Sequence, residues 1–261
     1  MLSPPSQTTG RRMQQTNSPL PYPEFVARCR QSVKLNDRQG EEFLTYHTVR
    51  FHCTYRLCYG LLQRGGSLLS VGTGSAYVEA VLASELQARV IAVDFPAAIE
   101  LHRRLYNANN ITSVAVDLSL DELQLPIEPC DMVLSTEILE HIPEAPARHF
   151  RKLLPYLKPN GYLVVTTPNL GSLEQILSLW RMLPIMDPPE RTFAPVSFEN
   201  EGTHRREYMP CEIIDSMTEC GLEHLATHFI WYHRERYVPR RWLERLIPHL
   251  RPAMIILARK R

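Results

Sequence analysis

Nowhere in this sequence do about 20 largely apolar residues follow one another, as a membrane-spanning helix would require. The N-terminus also lacks the short apolar core of a secretory leader. The six cysteines (Cys29, Cys53, Cys58, Cys130, Cys211 and Cys220) include no Cys-x-x-Cys pair. Several lie inside apolar patterns and read as reduced core thiols of an intracellular protein. A dominant charge of one sign is missing too. Basic residues number 29 and acidic ones 28, a formal net charge of +1, so the overall charge does not draw the chain towards nucleic acid. There is no internal repeat. No Gly-Lys-Ser or Gly-Lys-Thr occurs either, which excludes a P-loop. These absences leave a soluble, cytoplasmic protein, and 261 residues are ample for a real core.

What is present centres on Leu68-Leu69-Ser70-Val71-Gly72-Thr73-Gly74-Ser75-Ala76. Four residues suited to a buried strand run into a turn with glycine at every second position. A helical pattern follows at once in Tyr77, Val78, Ala80, Val81 and Leu82. A strand passing through such a turn into a helix points backbone N–H groups at whatever sits over the turn. Glycine supplies the left-handed angles and the close approach. A dinucleotide site would prefer a third glycine where Tyr77 stands. Val90 to Asp94 and Val114 to Asp117 are two further apolar strands, each ending in an acid. An acid after the second strand is placed to accept hydrogen bonds from ribose hydroxyls.

Taken in order, residues 1–21 are poor in large apolar side chains and read as a flexible tail. Residues 22–64 form a helical region: a short amphipathic helix over 24–35, then a longer one over 41–63 carrying Tyr46, His47, His52 and Tyr55. The longer helix either covers the sheet or serves as a lid. From residue 65 to 261 strands alternate with helices. The expected strands end at Val71 and cover 89–93, 113–116, 130–136, 162–167, 222–231 and 254–258. The expected helices cover 76–86, 97–107, 145–157, 211–220 and 237–246. This predicts a doubly wound α/β fold with a mainly parallel, seven-stranded sheet. Residues 169–203 interrupt the rhythm with a helical stretch and then Pro184, Pro188, Pro189 and Pro195, and read as a lid insertion. Arg234, Arg236, Arg240, Arg241 and Arg245 form a basic cluster, ordinarily a solvated helix face.

The glycine turn and the two strand-end acids resemble the class I S-adenosylmethionine (SAM) dependent methyltransferases, over roughly residues 45–260. The resemblance implies SAM as cofactor, with its methionine part over Gly72, Thr73, Gly74 and Ser75. It puts the ribose at Asp94, beside Phe95, and the adenine amine at Asp117, beside Leu118. Thr136 and Glu137, after the fourth strand, complete the implied cofactor site. The family usually carries Asp or Glu where this chain has Ser70.

Two further segments narrow the resemblance. Ser135 to Ile142, if helical, sets Glu137, Glu140 and His141 on one face, and Gly202 to Pro210 contains His204. With Thr166-Thr167-Pro168-Asn169 between them, they look like a branch that includes ubiquinone-biosynthesis O-methyltransferases and small-RNA 2′-O-methyltransferases. In the small-RNA enzymes such residues hold a divalent metal. Carried over, that set is Glu137, Glu140, His141 and His204, and two carboxylates with two imidazoles suit Mg²⁺, Mn²⁺ or Zn²⁺. Without a metal, His141 or His204 is the candidate base. The resemblance therefore implies methylation of an oxygen on a small metabolite, sugar or natural product. The alternatives are a metal-dependent RNA 2′-O-methyltransferase, an N-methyltransferase and a non-catalytic SAM binder. A small-molecule acceptor is the expected partner, ahead of nucleic acid and with no membrane.

Overall fold

Strand side chains point alternately to the two faces of a sheet, so a strand buried on both sides must be apolar at every position. Ser67–Val71 (β1) is buried at all five positions inside the sheet, and its two serines, Ser67 and Ser70, hydrogen-bond to Asp131 and Glu79. A computed structural model describes residues 18–34, 40–118, 123–197, 202–232 and 239–261. Two helices come first, Tyr22–Val33 (α1) and Glu41–Leu61 (α2). After β1 the chain alternates through Tyr77–Leu86 (α3), Arg89–Asp94 (β2), Pro96–Ala108 (α4), Thr112–Ala115 (β3), Cys130–Thr136 (β4) and Pro146–Leu153 (α5) to Leu157–Pro168 (β5). The insertion contributes Leu173–Trp180 (α6) and the short Pro189–Thr192 (α7). Pro210–Glu219 (α8), Leu222–Ile230 (β6), Pro239–Leu246 (α9) and Ala253–Lys260 (β7) complete the chain.

The seven strands lie in the order β3-β2-β1-β4-β5-β7-β6. Strands β1 to β5 are parallel, and β7 runs antiparallel between β5 and β6. Leu68, Met132, Val164 and Ile255 face the layer of α1 to α4, whereas Leu69, Val133, Val165 and Ile256 face the α5 and α8 side. Ser70 shares the parity of Leu68, so its hydroxyl is aimed at the α3 side. Among the described residues no helix is long and apolar enough to cross a membrane.

The departures have local causes. The helix expected over 145–157 ends at Leu153 and tightens into a 3₁₀ turn, Leu154–Tyr156, because Pro155 has no N–H to donate. The turn expected at 158–161 belongs instead to β5, whose register against β4 shifts between Cys130 and Met132. All six cysteines are free, but only Cys29, Cys58 and Cys130 are buried, and Cys211 is exposed. Most of the expected tail, residues 1–17, lies outside the described residues. Its last residues are docked: the Leu20 N–H donates to Tyr55 Oη (3.0 Å), and the Leu20 carbonyl lies 3.0 Å from His52 Nε2. Of the basic cluster, Arg234 and Arg236 lie outside the described residues, and the Arg241 guanidinium sits 5.3 Å from the Trp231 ring centroid.

Candidate active site

A cavity of 440 Å³ opens where the carboxyl ends of β1, β2, β4 and β5 meet, the place at which open α/β sheets bind ligands. Its floor is the glycine turn. Gly72 (φ 64°), Gly74 (φ 51°) and Ala76 (φ 46°) are all left-handed. A Cβ at Gly72 would stand 1.8 Å from Ile138 Cδ1, while one at Gly74 would meet nothing within 4 Å. The turn therefore packs tightly beneath and leaves an open cradle above.

Asp94 braces that cradle. One carboxylate oxygen accepts the Gly74 N–H (2.9 Å), the other accepts the Phe95 N–H (2.7 Å), and Tyr106 Oη donates to the Gly74 carbonyl (2.7 Å). Burial pushes the Asp94 pKa up, and the two N–H donors oppose that rise. Thr73, Ser75, Phe95, Leu118, Thr136 and Glu137 also line the cavity. Asp117 does not, although Leu118 beside it does.

The segment after β4 is not the expected helix. Glu137 has a left-handed φ of 54°, and residues 137–145 form turns and bends. The Glu137 N–H donates to the Thr166 carbonyl (2.8 Å), which carries the β4–β5 ladder one step further and draws the backbone away from a helical path. Glu137 Oε1 accepts from Thr166 Oγ1 (2.8 Å), and Oε2 pairs with Arg50. The helical-face argument therefore fails, yet three of its residues still converge. Glu140, His141 and His204 each offer a ligand atom within 4.8 Å of the others, and Glu137 stands outside that group.

Backbone bonds bring His204 there. The Arg205 and Arg206 N–H groups both donate to the Glu140 carbonyl (2.6 and 3.3 Å), and the His141 Nδ1–H donates to the Thr203 carbonyl (2.8 Å). The two imidazole centroids are 5.0 Å apart. His204 Nδ1 lies 3.2 Å from Glu207 Oε1, and Glu207 is buried. Both imidazoles thus have Nδ1 on an acceptor, which leaves Nε2 as the free lone pair. Glu140 is fully buried; its Oε2 accepts from Thr167 Oγ1 (2.9 Å), and its Oε1 has no hydrogen-bond partner and lies 3.8 Å from His141 Nε2. Burial, then the Glu137 charge, push the Glu140 pKa well up. Burial holds His141 below its ordinary value, while the hydrogen bond that His204 donates to Glu207 holds His204 above it.

The opposite wall belongs to α2 through Phe43, His47, Arg50, Phe51 and Thr54, and Val196 and Gly202 reach in from the insertion. The first half of α2 walls the cavity, and Tyr55, Cys58 and Tyr59 cover the core. His52 and Tyr55 turn towards Leu20 instead of the cavity. The sequence reading missed Arg50, a buried cation 4.9 Å from the Phe51 ring centroid. It also missed Glu79 and Glu207. Arg50 and Glu79 lie inside helices, where such residues ordinarily mark a solvated face, and Glu207 lies in the loop before α8, so nothing local sets these apart.

The fold and site together define a class of enzyme, and comparison with known proteins agrees. The chain belongs to the methyltransferase domain family, which matches residues 50–227. A malonyl-[acyl-carrier protein] O-methyltransferase of Marinomonas sp. (strain MWYL1) is 27% identical over 158 residues, 58% of this chain and 56% of that protein. The chain thus spans about half the length of that curated relative. A chain in the Haloferax volcanii complex of the Trm112 methyltransferase activator with a methyltransferase superposes with a TM-score of 0.58 at 15% identity, covering 90% of this chain and 97% of that one. A SAM-dependent methyltransferase from Aquifex aeolicus gives 0.54 at 14% identity, covering 88% and 97%. At these identities the solved structures share the fold.

Proposed function

We propose that this methyltransferase acts on an oxygen of a small-molecule acceptor, with Glu140, His141 and His204 holding a divalent cation where the acceptor hydroxyl arrives. The carrying observation is the cluster itself: two imidazoles with Nδ1 engaged, and a buried carboxylate oxygen without a hydrogen-bond partner that lies 3.8 Å from His141 Nε2. The donor set fits a cation. Ligating histidines ordinarily give their second nitrogen to a carbonyl or carboxylate, as these two do. A positive charge would also reverse the burial penalty on Glu140. The cavity fits SAM through its glycine cradle, and its volume is that of an ordinary cofactor site.

When bound, SAM supplies an already activated methyl group, and a divalent cation supplies a Lewis acid that lowers the pKa of an oxygen it touches. The chain does the rest by placement. Asp94 receives the ribose hydroxyls while it keeps the Gly74 and Phe95 N–H groups. Glu207 fixes the ring of His204. Phe43 and Phe51 give the acceptor an apolar wall, which suits a compact molecule better than an RNA end, as does the net charge of +1. The Marinomonas relative, an O-methyltransferase by name, supports oxygen as the methylated atom.

The test is direct. Dialysed protein titrated with Mn²⁺ should bind one ion, and Glu140→Gln or His204→Ala should lose it. Turnover on a panel of hydroxylated metabolites should stop on exhaustive chelation and return with a divalent ion. Turnover that survives chelation would give the proton to His141 Nε2 instead and end the cation reading.

A further inference from the structure

The family usually has an acid at the position of Ser70, and this chain replaces it with a hydroxyl. Ser70 is fully buried, and its Oγ donates to Glu79 Oε1 at 2.7 Å. Glu79 stands in the first turn of α3 and is 4% exposed, yet it borders the cavity beside the glycine turn. Two elements have therefore put a carboxylate where one strand residue would have carried it.

That carboxylate lacks a counterion. Among the described residues no Lys, Arg or His lies within ion-pair distance of Glu79, whereas Glu137 has Arg50 and Glu144 has Lys152. Arg50 acts on Glu79 only as the weakest of four influences, and burial pushes the Glu79 pKa up. Its neighbours Cys29, Cys58 and Tyr106 cannot supply positive charge; Glu79 itself helps to suppress their ionisation. A buried, unpaired carboxylate is costly unless a cation meets it. It nevertheless sits where the first turn of a helix favours negative charge. A carboxylate in that position on a ligand cavity is poised for a positively charged ligand group.

We propose that Glu79, held by Ser70, is the binding residue for the α-ammonium of the cofactor's amino-acid moiety. This rests on SAM lying over Gly72 to Ser75. Of the cofactor's two cationic groups, the sulfonium must face the acceptor, so the ammonium is the one free to meet a carboxylate walled in behind the turn. Arg50, on the facing helix, borders the same cavity but is already paired with Glu137.

Calorimetry with S-adenosylhomocysteine, which keeps the ammonium and lacks the sulfonium, and with its deaminated analogue tests the assignment. Glu79→Gln preserves volume and still accepts the Ser70 hydroxyl. It should weaken S-adenosylhomocysteine binding by roughly ten- to a hundredfold and leave the deaminated analogue unchanged. Moving the acid back, in Ser70→Asp with Glu79→Gln, should restore most of the lost affinity. Equal loss for both ligands would make Glu79 a merely structural residue, and no loss for either would remove it from the site. Failure of the unaltered protein to bind S-adenosylhomocysteine would sink the cofactor placement itself. Normal binding that Glu79→Gln does not change would sink only this assignment.

Discussion

At position 72 the smallest side chain would set its carbon 1.8 Å from Ile138 Cδ1, on a backbone whose φ is 64°. Gly72→Ala should therefore cost about 2 kcal/mol or more, from backbone strain and overpacking together. Ile138→Ala in the same chain should recover the packing part and leave the strain. Denaturant midpoints of the unaltered protein and these two variants separate the two contributions. Asp94 is the other residue on which the turn depends, because it binds the Gly74 N–H and faces the cavity as well. Asp94→Ala should cost roughly 2–3 kcal/mol of S-adenosylhomocysteine affinity, read by calorimetry. Unchanged affinity would withdraw the ribose from Asp94. At this scale the sequence was informative wherever a residue type answers a backbone demand, as glycine does in the turn. It was silent on Arg50, Glu79 and Glu207, whose roles depend on what folds against them.

At the scale of elements, the insertion is tied to the histidine segment by several hydrogen bonds, among them those from Arg205 Nη1 to the Thr192 carbonyl (2.5 Å) and from the Leu170 N–H to the Tyr208 carbonyl (3.2 Å). Gln175 Nε2, on α6, donates to Glu207 Oε2 (2.8 Å), and the His204 N–H donates to Asp187 Oδ2 (2.8 Å). Its outer face leaves Leu179, Trp180 and Met182 exposed, so little apolar burial holds it down from that side. Such a segment opens at low cost in the free protein. Amide exchange over 173–197 should slow when S-adenosylhomocysteine and an acceptor are both present, and identical exchange with and without them would end its role as a lid. The insertion was legible because its prolines break a regular rhythm. The parallel strands were legible too, since apolar runs of strand length alternate with helical patterns. The placement of β7 between β5 and β6 was not, because pairing order leaves no mark within a strand. The helix read over 135–142 failed for a comparable reason: the spacing of Glu137, Glu140 and His141 is helical, but a long-range bond from Glu137 N–H to the Thr166 carbonyl decides the path.

At the scale of the whole molecule, pH dependence adds contributions of opposite sign. Burial raises the pKa of the cavity acids Glu79 and Asp94, so the folded state holds their protons more tightly and their contribution to stability falls as pH rises through the folded values. His149, which does not line the cavity, works in the other direction. It is 2% exposed, with Nε2 2.9 Å from Ser135 Oγ and Nδ1 3.6 Å from Glu144, whose other oxygen meets Lys152. Serine, histidine and glutamate in that order resemble a nucleophilic triad, but Ser135 is fully buried and no substrate reaches it. The cluster is structural. Burial lowers the His149 pKa from its ordinary 6.5, against the pull of Glu144, and Lys152 adds to the lowering. The unfolded chain therefore takes up this proton more readily than the folded one. The stability owed to a neutral His149 is complete above pH 6.5 and is lost progressively as pH falls from there towards the folded value. Glu144, held below its ordinary 4.5 by His149 and Lys152, adds its own loss only at still lower pH. Unfolding free energies of the unaltered protein and His149→Gln, measured from pH 8 to 5, should diverge in slope only below about 6.5. Parallel curves across that range would show that His149 keeps the same proton affinity folded and unfolded.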